Sequence, residues 1–163
     1  LCATEATDRG PLVPGVPEDS SEQYTTLDKE VEFLDNYIKL MKIRYIAEVS
    51  IELNAPDLAI CRRVKLPPLL LIVLVENAFK HGISYSHKSF IRISISVDHG
   101  ELSCVVANSR HNNDNSKTER SGIGLNNITK RLEILFGEHY SLTTDTTDSK
   151  VYIVELVIPL TDK

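Results

Sequence analysis

The run Glu76, Asn77, Ala78, Phe79, Lys80, His81 puts a carboxylate, an amide, an ammonium and an imidazole within six positions. On a helix, 76 and 80 stand one turn apart, as do 77 and 81, so the four groups share adjoining faces. A carboxylate and an amide oxygen are hard ligands suited to Mg²⁺, directly or through water. A lysine and an imidazole can meet phosphate. A second cluster is Gly122, Ile123, Gly124, Leu125, at the head of GIGLNNITKRL. Glycine lets backbone come close to a ligand. A helix start just after it offers free N–H groups and the positive end of the dipole, a natural cradle for phosphate. A third is Asn108 and Ser109 at the end of CVVANSR. Asparagine can both accept from and donate to a purine edge. Each cluster alone also has an ordinary structural reading: polar residues where a buried helix reaches solvent, a plain loop-to-helix turn, a turn-forming asparagine.

These groups act together only if the chain brings them together, and its periodicity says which elements must do so. Residues 1–24 alternate Pro11, Pro14 and Pro17 with Gly10 and Gly15 and show no hydrophobic period, so they read as a linker without fixed structure. The domain proper is expected over 25–163, opening with a helix at 25–46. There Leu27, Val31, Leu34, Ile38, Met41 and Tyr45 form one helical stripe. Thr25 with Asp28 offers a capping box for it. Val49 to Leu53 alternates as a short strand. Pro67 and Pro68 are expected to open a helix that runs to Gly82 and is buried nearly all round from Leu69 to Val75. Phe90–Val97 and Glu101–Ala107 alternate about Asp98, His99 and Gly100, a hairpin signal. Residues 109–121 hold no large apolar residue and predict a mobile functional loop. A helix over 124–136 closed by Gly137 follows, then strands at Tyr140–Thr144 and Val151–Ile158. This order predicts an α/β (α+β) fold: a two-layer α/β sandwich with a mixed, mostly antiparallel sheet and helices packed on one face.

Composition narrows the function classes. The chain has 163 residues, room for one domain, and a net charge of -5 with scattered basic residues, which argues against a nucleic-acid partner. Cys2, Cys61 and Cys104 are far apart with no CxxC spacing, so reduced thiols rather than a zinc site are expected. The longest apolar run, Leu69 to Val75, has seven residues, far short of the ~18 needed to span a membrane. The chain starts at Leu1 and shows no signal pattern, and is therefore read as a fragment whose parent carries any membrane anchor elsewhere.

The order and spacing of the clusters carry more than any one of them. A buried helix ending in Glu-Asn, a hairpin ending at Asn108, a polar loop and a glycine pair in sequence resemble the catalytic domain shared by histidine kinases, gyrase-type topoisomerases, Hsp90 chaperones and MutL proteins. More narrowly, LVENAFKHG at 74–82, GIGLNNITKRL at 122–132 and the helix from Leu27 to Arg44 resemble the LytS-like group of sensor histidine kinases. The resemblance covers residues 27–160, about 80% of the chain.

The resemblance implies ATP and Mg²⁺ as ligands. Asn77 would ligate the metal. Glu76 would polarise the attacking group or support the metal shell, and Lys80 and His81 would lie near phosphate. Gly122, Ile123, Gly124 and Leu125 would contact the phosphates, and Asn108 with Ser109 would meet the adenine. The group usually has an aspartate where Asn108 stands. The glycines that follow it are replaced by Ser109, Arg110 and His111, and Ser149-Lys150 replaces a common Gly-Thr. Weaker adenine selectivity is the expected consequence. The group's phosphoacceptor histidine lies in an upstream segment resembling PHFLFN, whereas all five histidines here lie in or after the nucleotide helix. The implied function is therefore a catalytic domain that phosphorylates a dimerisation segment lying outside this sequence, with a response regulator downstream. The parent would be a homodimer, with this domain on the cytoplasmic side of the inner membrane. The alternative is a non-catalytic or weakly nucleotide-binding interaction module of the same fold.

Overall fold

The computed structural model describes residues 24–45, 49–111 and 122–160. Along them run β1 (Thr25–Thr26), α1 (Leu27–Arg44), β2 (Val49–Asn54), α2 (Leu58–Cys61), β3 (Lys65–Leu66), α3 (Ile72–Gly82), β4 (Ser89–Asp98), β5 (Glu101–Ser109), α4 (Gly122–Phe136), β6 (Ser141–Asp145) and β7 (Val151–Pro159). The expected linker lies outside the described residues apart from Tyr24, as do Cys2 and positions 112–121 of the expected polar loop.

Five strands form one sheet in the order β2-β4-β5-β7-β6. Only β2 and β4 run parallel, and α2, β3 and α3 supply the crossover that a parallel pair needs. The β4–β5 hairpin turns on His99 and Gly100, both at positive φ (48° and 77°), as a two-residue turn of matching twist demands. Register then puts apolar residues in rows across one face. Ile93 pairs with Val106, which pairs with Val154; Ile95 pairs with Cys104, which pairs with Leu156. That face carries the helices, and its residues are buried with Leu74, Val75, Ala78 and Phe79 of α3 and Ile128 and Leu132 of α4. The mixed sheet with helices on one face is the architecture the periodicity predicts. Cys61 and Cys104 are free and buried, as expected of reduced thiols. Burial pushes the Cys104 thiol up to about 12, so it does not ionise near neutral pH.

Three expectations need correction. The residue capping α1 is Thr26 rather than Thr25, and it makes no side-chain bond to the helix backbone. Thr26 instead bonds the Asp28 carboxylate and holds it below its usual range. Second, Pro67 and Pro68 do not open α3. The chain turns at Leu69, which has φ 56° and is 49% exposed, and the helix begins at Ile72. Third, α4 starts at Gly122, so the glycine pair forms its first turn rather than a turn ahead of it. Gly137, at φ 60°, closes α4 as expected. The two-stranded β1–β3 ribbon and the short α2 have no periodic signature. The ribbon is held by pairing, Thr25 with Leu66 and Thr26 with Lys65, and by the Leu27 N–H donating to the Val64 carbonyl at 2.9 Å.

Candidate functional site

Apolar spacing in α3 decides which side chains are left for chemistry. Leu74, Val75, Ala78, Phe79 and Gly82 are buried and recur at intervals of one and three, one face of a helix. The opposite side carries Glu76 and Lys80, both exposed, and Asn77 and His81, both half-buried. Lys80 and His81 occupy the last turn, where a cation also complements the negative end of the helix dipole. Glu76 faces α1. Burial raises the Tyr37 phenol above its usual range, and the Glu76 carboxylate adds to that shift. Tyr37 itself packs edge-on against Phe79, with centroids 5.5 Å apart.

The end of α3 meets the end of β5. Asn108 lies on the helix-facing row of β5 after Leu102, Cys104 and Val106, and is only 2% exposed. Directly above it is Gly82. A Cβ added to Gly82 would stand 2.7 Å from the Asn108 Cβ and 2.8 Å from its Nδ2. The helix that carries the first cluster therefore meets the third cluster one residue past His81. The Asn108 amide donates from Nδ2 to the Ser109 carbonyl at 2.8 Å. Ser109 is buried too, and its Oγ accepts the Phe90 N–H at 2.7 Å, tying the end of β5 to the start of β4.

Beside this junction opens a cleft of about 910 Å³. Lys80, His81 and Ser109 line it, whereas Glu76, Asn77 and Asn108 are not among its lining residues. Five further basic or imidazole side chains line it that the sequence clusters did not single out: His87, Lys88, Arg110, His111 and Lys150. No carboxylate is among its described lining residues, a marked bias in a chain of net charge -5. His87 and His111 stack at 5.6 Å, and the His111 Nε2 lies 3.1 Å from the Ser89 Oγ. These residues come from the start of β4, the end of β5 and the start of β7, which antiparallel register places along one edge of the sheet. The alternating pattern that gave the hairpin could have located them, because it fixes which strand ends lie together.

Gly122, Ile123 and Gly124 have helical backbone in the first turn of α4, and Leu125 packs against the core. The first N–H groups of a helix have no intrahelical partner, so this turn keeps its capacity for an anion. Among the described residues no group of three or more His, Cys, Asp or Glu could hold a metal ion.

No family model matches the chain. The sensor protein LytS of Oceanobacillus iheyensis is 29% identical over 86% of this chain and 26% of its own length. The sensor histidine kinase/phosphatase LytS of Staphylococcus aureus strain MRSA252 is 33% identical over 79% of this chain and 24% of its own. The chain thus spans about a quarter of the length of the curated relatives it matches. Among solved structures, the nucleotide-free catalytic domain of histidine kinase ThkA has a TM-score of 0.60 at 18% identity, over 86% of this chain and 97% of that one. The histidine kinase AdeS of Acinetobacter baumannii has a TM-score of 0.58 at 17% identity, over 85% and 68%. Over most of its length the chain is a homologue of the LytS sensor histidine kinases, and its fold is that of a histidine kinase catalytic domain.

Proposed function

We propose that the chain binds Mg²⁺·ATP and passes the γ-phosphoryl group to a histidine on a dimerisation segment of a longer sensor kinase. A response-regulator aspartate would receive it next. The observation that carries this reading is the contact of Gly82 with Asn108, which joins the end of the Glu-Asn helix to the strand end beside a cation-lined cleft. In phosphoryl transfer the protein contributes mainly position and charge neutralisation. Lys80 would supply charge, and His81 would lie near phosphate. The first turn of α4, with Leu125 behind it, would supply N–H groups. Asn108 and Ser109 would face the base.

The donor set fits Mg²⁺. The ion takes few protein ligands and keeps waters and substrate phosphates, so a half-buried amide oxygen at Asn77 with Glu76 in its outer shell suffices. When bound, it would neutralise phosphate charge. Glu76, exposed beside α1, would polarise an incoming imidazole. The P–N bond would form as the bond to the ADP oxygen breaks, and the imidazole proton would pass to the carboxylate or to solvent. Among the described residues no helix is long and apolar enough to cross a membrane. A homodimeric, membrane-anchored parent with this domain in the cytoplasm is part of the proposal. Nothing among the described residues favours the non-catalytic alternative.

Calorimetry with a non-hydrolysable ATP analogue and Mg²⁺ tests the reading. Binding should weaken at least tenfold in Asn77→Ala, and unchanged affinity would remove the metal role. Labelled phosphohistidine on a dimerisation segment added in trans would establish the transfer.

A further inference from the structure

We propose that Glu30 and Arg131 are positioning residues for nucleotide binding, gripping the Leu69 peptide from two sides and so setting the spacing of α3 and α4. The inference rests on the reading that these two helices hold the nucleotide.

Three elements converge on one turn. The Leu69 N–H donates to the Glu30 Oε1 of α1 at 2.7 Å. The Leu69 carbonyl accepts from the Arg131 Nη1 of α4 at 3.2 Å, and the Pro68 carbonyl accepts from its Nη2. A planar guanidinium can hold two successive carbonyls at once, which a lysine ammonium cannot do with the same fixed geometry. The gripped turn leads straight into α3, the helix of Asn77, Lys80 and His81. Arg131 stands two turns beyond Gly124 on α4, about 10 Å along a rigid rod. The pin therefore joins the two helices at a point from which both carry its position to their polar ends.

Two features of the turn oppose stability, so core filling alone does not account for it. Glu30 is 4% exposed, and its Oε2 has no hydrogen-bond partner among the described residues. A buried carboxylate with one oxygen unmatched is unfavourable. Leu69 holds φ 56°, a region leucine avoids. Such features persist where the surroundings over-determine them, and they concentrate where geometry matters to function. Here the surroundings are the two charged side chains themselves.

The test measures affinity for the Mg²⁺-loaded ATP analogue in the full chain, well below the unfolding temperature, so that only folded protein is counted. Arg131→Ala should bind at least tenfold more weakly than wild type. Arg131→Lys, which keeps the charge but not the fork, should recover only a minor part. Glu30→Gln should weaken binding several-fold, and the double variant less than the product of the two single effects, because both act through one peptide. A purely structural role would lower the melting temperature and leave the affinity of the folded protein unchanged, and that result would overturn the proposal. If Arg131→Ala does not fold, Arg131→Gln decides. Its amide can reach only one carbonyl, and wild-type affinity in that folded variant would be equally fatal. Wild-type protein that fails to bind the analogue would overturn the nucleotide reading and this inference with it. Normal wild-type binding, lost in Asn77→Ala but untouched by the Arg131 and Glu30 variants, would overturn the pin alone.

Discussion

The two ends of α3 carry their unusual residues the wrong way round. At the far end stands a glycine in ordinary helical backbone. At the near end stands a leucine in the left-handed region that glycine favours. A helical glycine costs roughly 1 kcal/mol relative to alanine, so Gly82 is not explained by conformation. It is explained by space, since a Cβ would stand 2.7 Å from that of Asn108. Leu69 is not explained by space, because it is half exposed. It stands instead between two hydrogen bonds, its N–H donating to Glu30 and its carbonyl accepting from Arg131, which oppose the preference of its own backbone. One end is fixed by contact and the other by charge. A steric stop has one position, whereas a hydrogen-bonded pin can shift with the helices that supply it.

The largest effect should come from removing the steric distinction. Gly82→Ala forces the Asn108 side chain or the helix end to move, and overpacking of this kind costs about 1–3 kcal/mol. For a domain of this size, thermal unfolding should fall by roughly 3–10 °C. Analogue binding should fall with it, because the displaced group is the proposed adenine contact. Asn108→Gly in the same chain should recover part of the loss. Asn108→Ala should not, because it keeps the Cβ that the new methyl meets. A Gly82→Ala chain as stable as wild type would mean that no steric stop distinguishes the far end of α3 from the near end.

Sequence reasoning reached the far end of α3 and missed the near end, for a physical reason. LVENAFKHG and the hairpin are local patterns, and strand register then dictates that β5 ends where α3 ends. The near end depends on contacts between residues 39 and 62 positions apart, which leave no period in the chain. The proline rule pointed to Pro67 and Pro68 as helix starters, but the turn at Leu69 delays the helix to Ile72. One signal was available. Glu30 lies three positions after Leu27 and four before Leu34, squarely on the buried face of α1, where a carboxylate needs a partner. The basic residues of the cleft were missed because Lys88, Arg110 and Lys150 are scattered in the chain and cluster only where three strand ends align.

Smaller effects at Leu69 sharpen the comparison from the other side. Leaving the left-handed region should relieve about 1–2 kcal/mol when leucine becomes glycine. The greater freedom of glycine in the unfolded chain returns roughly 0.5–1 kcal/mol of that. Loss of a half-buried leucine returns about 1 kcal/mol more. Leu69→Gly should therefore stay within about 1 kcal/mol of wild type in denaturant unfolding. Leu69→Ile has similar bulk but a branched Cβ that tolerates positive φ least, and should fall about 1–2 kcal/mol below it. That ordering ought to depend on the pin. In an Arg131→Ala background the Pro68 and Leu69 carbonyls are released, and the turn can relax toward negative φ. The gap between Ile and Gly at position 69 should then shrink or reverse. A gap of the same size in both backgrounds would show that the turn is left-handed for its own local reasons, and that Arg131 follows its shape instead of imposing it.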